Sequence, residues 1–417
     1  MHGIIVRSQL EHPRQKARIV SIYEQLGLEP IINASGAVTR LGGSPMPEPV
    51  LKAFHEAALD CVPLEHLQAA ASKRIALATG TEAGLVTAGS AAALTMGTAA
   101  ILTGYDLGRM ERLPDCNGFP NEIVIAREQR SGYDHAVRAA GASLVEVGFN
   151  EIVANAGVRR TETWEYEAAF GPQTAGVVYV FSPSSAPPLE EVVACAHRHD
   201  LPVLVDAAGE LPPRSHLKSV AAKGADLVCY SGGKAIRGPQ STGILCGRSE
   251  LIGAAAIQML DMDDHLDLWA PPAGLVDRSK LAGIPRHGLG RAMKVSKEEI
   301  VALLTALDLF TSGSYDAQLG VFRAWLETLQ TALSSAAATT SFIEHDNGET
   351  PPSLEVRINE PRLGRTAFEV CHRLRAGSPP VYVGHGCLGE GKLVVNPTCL
   401  QEAQIESLST RLREELS

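Results

Sequence analysis

A single lysine, Lys234, stands in the stretch SGGKAIRGPQSTG (231–243), directly after the apolar run LVCY (227–230). A solvated surface lysine needs no such setting. A lysine that is desolvated and near positive charge loses its proton more easily and becomes an amine nucleophile. Asp206 closes another apolar run, PVLVD (202–206), 28 positions before Lys234 (234 − 206). A carboxylate at the carboxyl end of a central strand points into the crevice where open α/β sheets bind ligands. There it can hold a protonated pyridine nitrogen and keep that ring electron-poor. The third feature is Gly89-Ser90-Ala91, where LVTA (85–88) runs into an Ala-rich helix. Free N–H groups and the positive end of a helix dipole make such a turn an anion site. Each feature alone has an ordinary explanation: a turn lysine, a capping aspartate, tight helix packing. Together, and in this order, they fit pyridoxal 5′-phosphate.

The elements around them must bring the three together. Short apolar runs at 85–88, 122–126, 143–148, 176–181, 202–209, 227–230 and 242–247 read as strands. Helical patterns lie between them, at 133–140, 189–200 and 215–223, with two more at 48–60 and 64–79. This alternation predicts an α/β fold with a doubly wound, mostly parallel sheet. The strands are apolar throughout, as helices on both faces require. From Lys294 the texture changes. Ser296 and Glu299 form a capping box ahead of a long helix, followed by LEVRI, VYVGHG, KLVVNP and a final amphipathic helix. This predicts a smaller α+β domain. The expected division is an N-terminal arm and active-site segment (1–47), a large domain (48–293) and a small domain (294–417). GHGCLGEG (384–391) reads as a hairpin turn rather than a phosphate loop.

Composition narrows the function. The chain has 417 residues, 45% hydrophobic and 20% charged, as an ordinary globular protein of two domains would. A net charge of −10 without a dense basic block argues against nucleic acid and anionic membrane surfaces. No apolar run is long enough to span a bilayer, and the charges in MHGIIVRSQLEHPRQKARIV do not suit a signal peptide. The eight cysteines are dispersed without a C-x-x-C pair, so reduced, buried thiols in a cytoplasmic protein are expected. The acidic run DMDDHLD (261–267) reads as a solvated loop, with no metal expected.

SGGKAIRGPQSTGIL, DAAGELPP, INASGAVTRLGG and GRAMKVSKEEI resemble the fold-type I pyridoxal-phosphate enzymes related to bacterial selenocysteine synthase. The nearest texture is that of the branch containing D-glucosaminate-6-phosphate ammonia-lyase. The resemblance runs from about residue 26 to the end. It implies that Lys234 bonds to the cofactor and shuttles protons. Asp206 would pair with the pyridine nitrogen, with Ala208 packed near the ring. Ser90 and Ala91 would hold the phosphate, helped by Ser231, and Thr242 would reach the phosphate of a partner subunit. The 33–43 segment, with Asn33, would border the substrate. Where the family carries an aromatic residue on the ring, this chain aligns Gln129, which stacks less well and is neither acid nor base. Arg291 is the preferred clamp for a substrate carboxylate, ahead of Arg286, while Arg237, close to Lys234, would instead hold phosphate or an interface.

These roles imply a lyase acting on a hydroxy amino acid or amino sugar acid. Lys234 takes the Cα proton and a β-hydroxyl leaves, giving a 2-oxo acid and ammonia. Aldol cleavage or racemisation needs the same lysine and differs only in the bond that breaks. Selenium transfer on a charged tRNA is not expected, since only about 30 residues precede INASG and the charge is wrong. A non-catalytic scaffold finds support in Gln129 and is opposed by Lys234 and Asp206. A homodimer or larger assembly with shared sites is implied.

Overall fold

The computed structural model describes residues 21–149, 160–260 and 263–417. The first part of the arm expected over 1–47, and Asp261 and Met262 of the DMDDHLD run, lie outside them. Twelve strands are described: β1 (Ile32–Ala34), β2 (Ala83–Thr87), β3 (Glu122–Ala126), β4 (Ser143–Val147), β5 (Thr174–Val180), β6 (Val203–Asp206), β7 (Leu227–Ser231), β8 (Gly243–Gly247), β9 (Ala338–Ile343), β10 (Ser353–Ile358), β11 (Val381–Val383) and β12 (Lys392–Val395).

Seven of them form one sheet in the order β2-β8-β7-β6-β5-β3-β4. Strands β7, β6, β5, β3 and β4 are parallel, while β8 runs antiparallel to both of its neighbours. The reversal has a simple cause. The link between β7 and β8 is shorter than the dozen or so residues that a parallel crossover needs, so the chain turns straight back. That turn carries Lys234. Because β8 is antiparallel on both sides, β2 points the same way as β7. The carboxyl ends of β2, β6 and β7 therefore share one edge. Thr87 and Ser231 both stand opposite Gly243 in the register, and Asp206 stands opposite Cys229. The Ala-rich helix Gly89–Thr103 leaves β2 at this edge and is buried along most of its length.

A second, three-stranded antiparallel sheet has the order β12-β10-β9, and β1 pairs in parallel with β11. Strand β9 has no counterpart in the sequence-based reading. It is an edge strand with one half-buried face, packed through Ala338 and Phe342, so ATTSFI carries little apolar signal. The 384–391 stretch turns as expected, since Gly384 and Val394 exchange backbone hydrogen bonds at 2.7 and 3.0 Å. The capping box on the helix Lys297–Thr311 is formed. That helix, however, packs on the helices Glu48–Leu59 and Leu64–Thr79, and its apolar face through Phe310 joins the core of the large sheet. The second core gathers Leu326 to Leu416 together with Ile32 and Ala34. Phe310 thus belongs to the first cluster of buried residues, and β1 to the second. No described helix is long and apolar enough to cross a membrane.

Candidate active site

At the shared edge lies a cavity of about 250 Å³. Ser90, Ala91, Asp206, Ala208, Ser231 and Lys234 all line it, so the structure brings together six residues singled out from sequence. Thr39, Tyr133, Gln240 and Ser241 complete much of the wall.

The anion end is built from backbone. The helix Gly89–Thr103 begins at Ala88 with no side-chain cap, which leaves its first N–H groups uncapped by the chain. The Thr87 hydroxyl donates to the Gly89 carbonyl at 3.0 Å and fixes the turn. Strand β8 presses against it. A Cβ on Gly243 would stand 2.4 Å from the Gly89 carbonyl carbon and 2.6 Å from the Ser90 nitrogen. Only glycine allows that approach.

The carboxylate end is oriented by two donors. The Ala208 N–H donates to Asp206 Oδ1 at 3.0 Å, and the Cys229 thiol donates to the same oxygen at 3.5 Å. Burial, reinforced by the Asp206 charge, pushes the Cys229 thiol well above its ordinary range. Cys229 therefore keeps its proton and remains a donor. A neighbouring carboxyl, Glu210, was not singled out from sequence. Burial raises its pKa, opposed by the charges of His216 and Lys234 and aided by Asp206. No motif would have marked it, because its place depends on the turn after β6.

Lys234 lines a second cavity as well, of about 270 Å³, with Ala37, Arg214, Arg237 and His345 among its other walls. Its turn is pinned from both sides. The Gly232 N–H donates to the Thr242 carbonyl at 2.9 Å, and the Ser44 N–H donates to the Gly233 carbonyl at 3.1 Å.

Four expected site residues stand elsewhere. Thr242 is fully buried and its hydroxyl donates to the Pro239 carbonyl at 2.6 Å. Its exposed neighbour Ser241 lines the cavity instead. Asn33 spends its amide on its own turn, donating to the Gly36 carbonyl and accepting from the Ser35 N–H, both at 3.0 Å. The segment it anchors does border both cavities, through Ala37 and Thr39. Gln129 is buried, with its Oε1 accepting the Val180 N–H at 2.9 Å. It is tied to β5 and does not line the cavity. The aromatic side chain there is Tyr133, four residues on, and an aromatic in the same stretch was a signal available in the sequence. Arg291 lines a separate cavity with Lys294 and Gln68, away from Lys234 of its own chain.

Comparison with known proteins decides the family. The family model for L-seryl-tRNA selenium transferase matches residues 133–268. A 5′-C-glycyluridine monooxygenase-decarboxylase from a Streptomyces species is 31% identical over 398 residues, covering 94% of this chain and 91% of its own. The D-glucosaminate-6-phosphate ammonia lyase of Salmonella typhimurium is 30% identical over 403 residues, covering 94% and 97%. The chain belongs to the selenocysteine synthase-like family of fold-type I pyridoxal-phosphate enzymes. A solved structure of D-glucosaminate-6-phosphate ammonia-lyase superposes with a TM-score of 0.77 at 28% identity, over 95% of this chain and 98% of that one. The chain is thus an enzyme of this family, and the match spans both of its units. The donor set fits the family's cofactor: uncapped helix N–H groups for a phosphate, an oriented carboxylate for a ring nitrogen, and a lysine between them.

Proposed function

We propose that the chain binds pyridoxal 5′-phosphate in the 250 Å³ cavity and eliminates a β-hydroxyl from a hydroxy amino acid or amino sugar acid, yielding a 2-oxo acid and ammonia. The observation that carries this is the convergence of Lys234, Asp206 and the start of the helix Gly89–Thr103 on one cavity. The bound cofactor supplies an electron sink for charge developing at the substrate Cα.

The chain does the rest. The N–H groups of Ser90 and Ala91 and the Ser231 hydroxyl hold the phosphate. Asp206, kept in place by Ala208 and Cys229, holds the proton on the ring nitrogen. Tyr133 gives the cavity an aromatic wall. Lys234 would hold the cofactor, and its Nζ would accept the Cα proton of the substrate. The same Nζ would hand a proton to the departing hydroxyl. The second cavity, which Lys234 also lines, gives the substrate room. The substrate of one relative, D-glucosaminate 6-phosphate, has the amine and neighbouring hydroxyl that this reaction needs. Assembly as a homodimer with shared sites is part of the same reading, and rests on the family likeness. A cytoplasmic location is supported by the free state of all eight cysteines.

A second reading is decarboxylation at the same Cα, favoured by the relative that carries the name monooxygenase-decarboxylase. Both reactions use the same lysine, and substrate orientation selects the bond. The test begins with the visible absorbance of the purified protein with added pyridoxal phosphate, before and after borohydride, beside Lys234→Ala. An absorbance near roughly 420 nm, trapped by borohydride and lost in the variant, is expected. D- and L-serine, D-glucosaminate and its 6-phosphate are then assayed for 2-oxo acid, ammonia, carbon dioxide and oxygen uptake. Wild-type protein that gains no absorbance overturns the reading; carbon dioxide in place of ammonia selects the second.

A further inference from the structure

Arg237 follows Lys234 by three residues, and its N–H donates to the Lys234 carbonyl at 3.0 Å. Its backbone is left-handed, with φ +62°. A long side chain holds that conformation only when its surroundings enforce it, and such residues gather at functional sites. Here the enforcing contacts are neutral. Nε donates to the Pro45 carbonyl at 3.2 Å and Nη1 to the Gln318 Oε1 at 2.7 Å. The guanidinium lies over the Tyr315 ring, 5.2 Å from its centre.

The acids of the second cavity are spent elsewhere. Asp316 and Glu349 both pair with Arg214, at 2.6 and 3.2 Å. Among the described residues no carboxylate pairs with Arg237, and its Nη2 has no hydrogen-bond partner. Burial lowers the Arg237 pKa without coming near to neutralising it. A partly desolvated cation without a counter-ion is costly unless an anion arrives. An adjoining cavity beside Trp325 also touches Arg237, but Lys234 does not line it.

We propose that Arg237 binds an oxyanion of the substrate, a carboxylate or a phosphate, in the cavity that it shares with Lys234. The inference rests on the reading of Lys234 given above. It assigns the role expected of Arg291 to a residue on the reactive turn itself. The substrate class is an amino compound bearing an acid group: its amine meets Lys234 while its acid meets Arg237.

The experiment uses protein loaded with pyridoxal phosphate and four probes: D-serine, L-serine, O-phosphoethanolamine and ethanolamine. The half-saturation of the absorbance change is read for each. In the wild type at least one acid-bearing probe is expected to saturate about tenfold or more below ethanolamine, as a charge-assisted pair gives. A serine advantage identifies a carboxylate, and a phosphoethanolamine advantage identifies a phosphate. Arg237→Asn is the variant of choice because asparagine tolerates a left-handed backbone. It should reduce that advantage to about parity while ethanolamine stays within roughly twofold. If ethanolamine moves too, Arg237→Lys is read instead: part of the advantage returns if the charge is what matters, and parity overturns the proposal. Equal saturation by all four probes in the wild type, or an advantage that survives Arg237→Asn, also overturns it. Protein without visible absorbance would overturn the cofactor reading instead. Melting temperatures of the cofactor-free protein with each probe then give the same wild-type and Arg237→Asn contrast, with the same outcomes.

Discussion

A Cβ placed on Gly209 would stand 3.8 Å from the Nζ of Lys234. That is ordinary van der Waals contact, so the backbone after β6 forms a floor under the reactive amine. Gly209→Ala should be tolerated, with turnover within about twofold of wild type. Gly209→Val should push Nζ off its position and lower kcat by an amount on the order of 10²-fold. Steady-state kinetics of the two variants check this.

Gly243→Ala should damage the anion end specifically. The new methyl would meet the backbone of Gly89 and Ser90, which cannot swing aside as a flexible side chain can. A loss of about 1–3 kcal/mol in stability is expected from overpacking. Cofactor affinity should fall with it, as read by absorbance titration and urea unfolding.

Gln129 and Tyr133 should separate stability from binding. Gln129→Leu removes the acceptor of the Val180 N–H and should cost about 1–3 kcal/mol of stability. Tyr133→Ala removes an aromatic wall of the cavity and should weaken cofactor binding by about 1 kcal/mol, roughly fivefold. If the two variants swap phenotypes, Gln129 holds the place over the ring after all.

Glu210 gives the pH test. Burial raises its pKa above the ordinary 4.5 in the folded chain. The sign follows from linkage: its contribution is fully present below about pH 4.5 and is lost as pH rises through the raised folded value. Glu210→Gln should therefore be more stable than wild type at pH 8, by less than about 1 kcal/mol because the group is half exposed. The difference should vanish near pH 4. Urea midpoints of the cofactor-free protein at the two pH values decide it.

The large sheet was legible because its inner parallel strands are short apolar runs such as LVCY, ended by Gly, Pro or a polar turn; only the edge strand β4 is broken, by Glu146. The cofactor edge was legible for the same reason: Asp206, Ser231 and Ser90 follow such runs directly. What stayed hidden depends on which way a side chain faces after the chain turns. Ser241 and Thr242 are adjacent, and only the antiparallel return of β8 decides which one faces the cavity. Gln129 and Tyr133 lie on one short segment, and only the hydrogen bond to Val180 turns the first away. Arg237 was a minor candidate because sequence does not show that Asp316 and Glu349 are already taken by Arg214.

The pairing of β1 with β11 also sets an order of events during synthesis. Glu29 meets Ser378 across 349 positions of chain, and the stretch that follows β1 walls both cavities and ties to the lysine turn through Ser44 and Gly233. A ribosome delivers Lys234 and Asp206 long before it delivers β11. Until Val381 emerges, β1 has no strand to pair with. Closing so long a loop is slow. Capture of the cofactor is therefore a late step, and a nascent chain halted before β11 would carry every catalytic residue without a finished site.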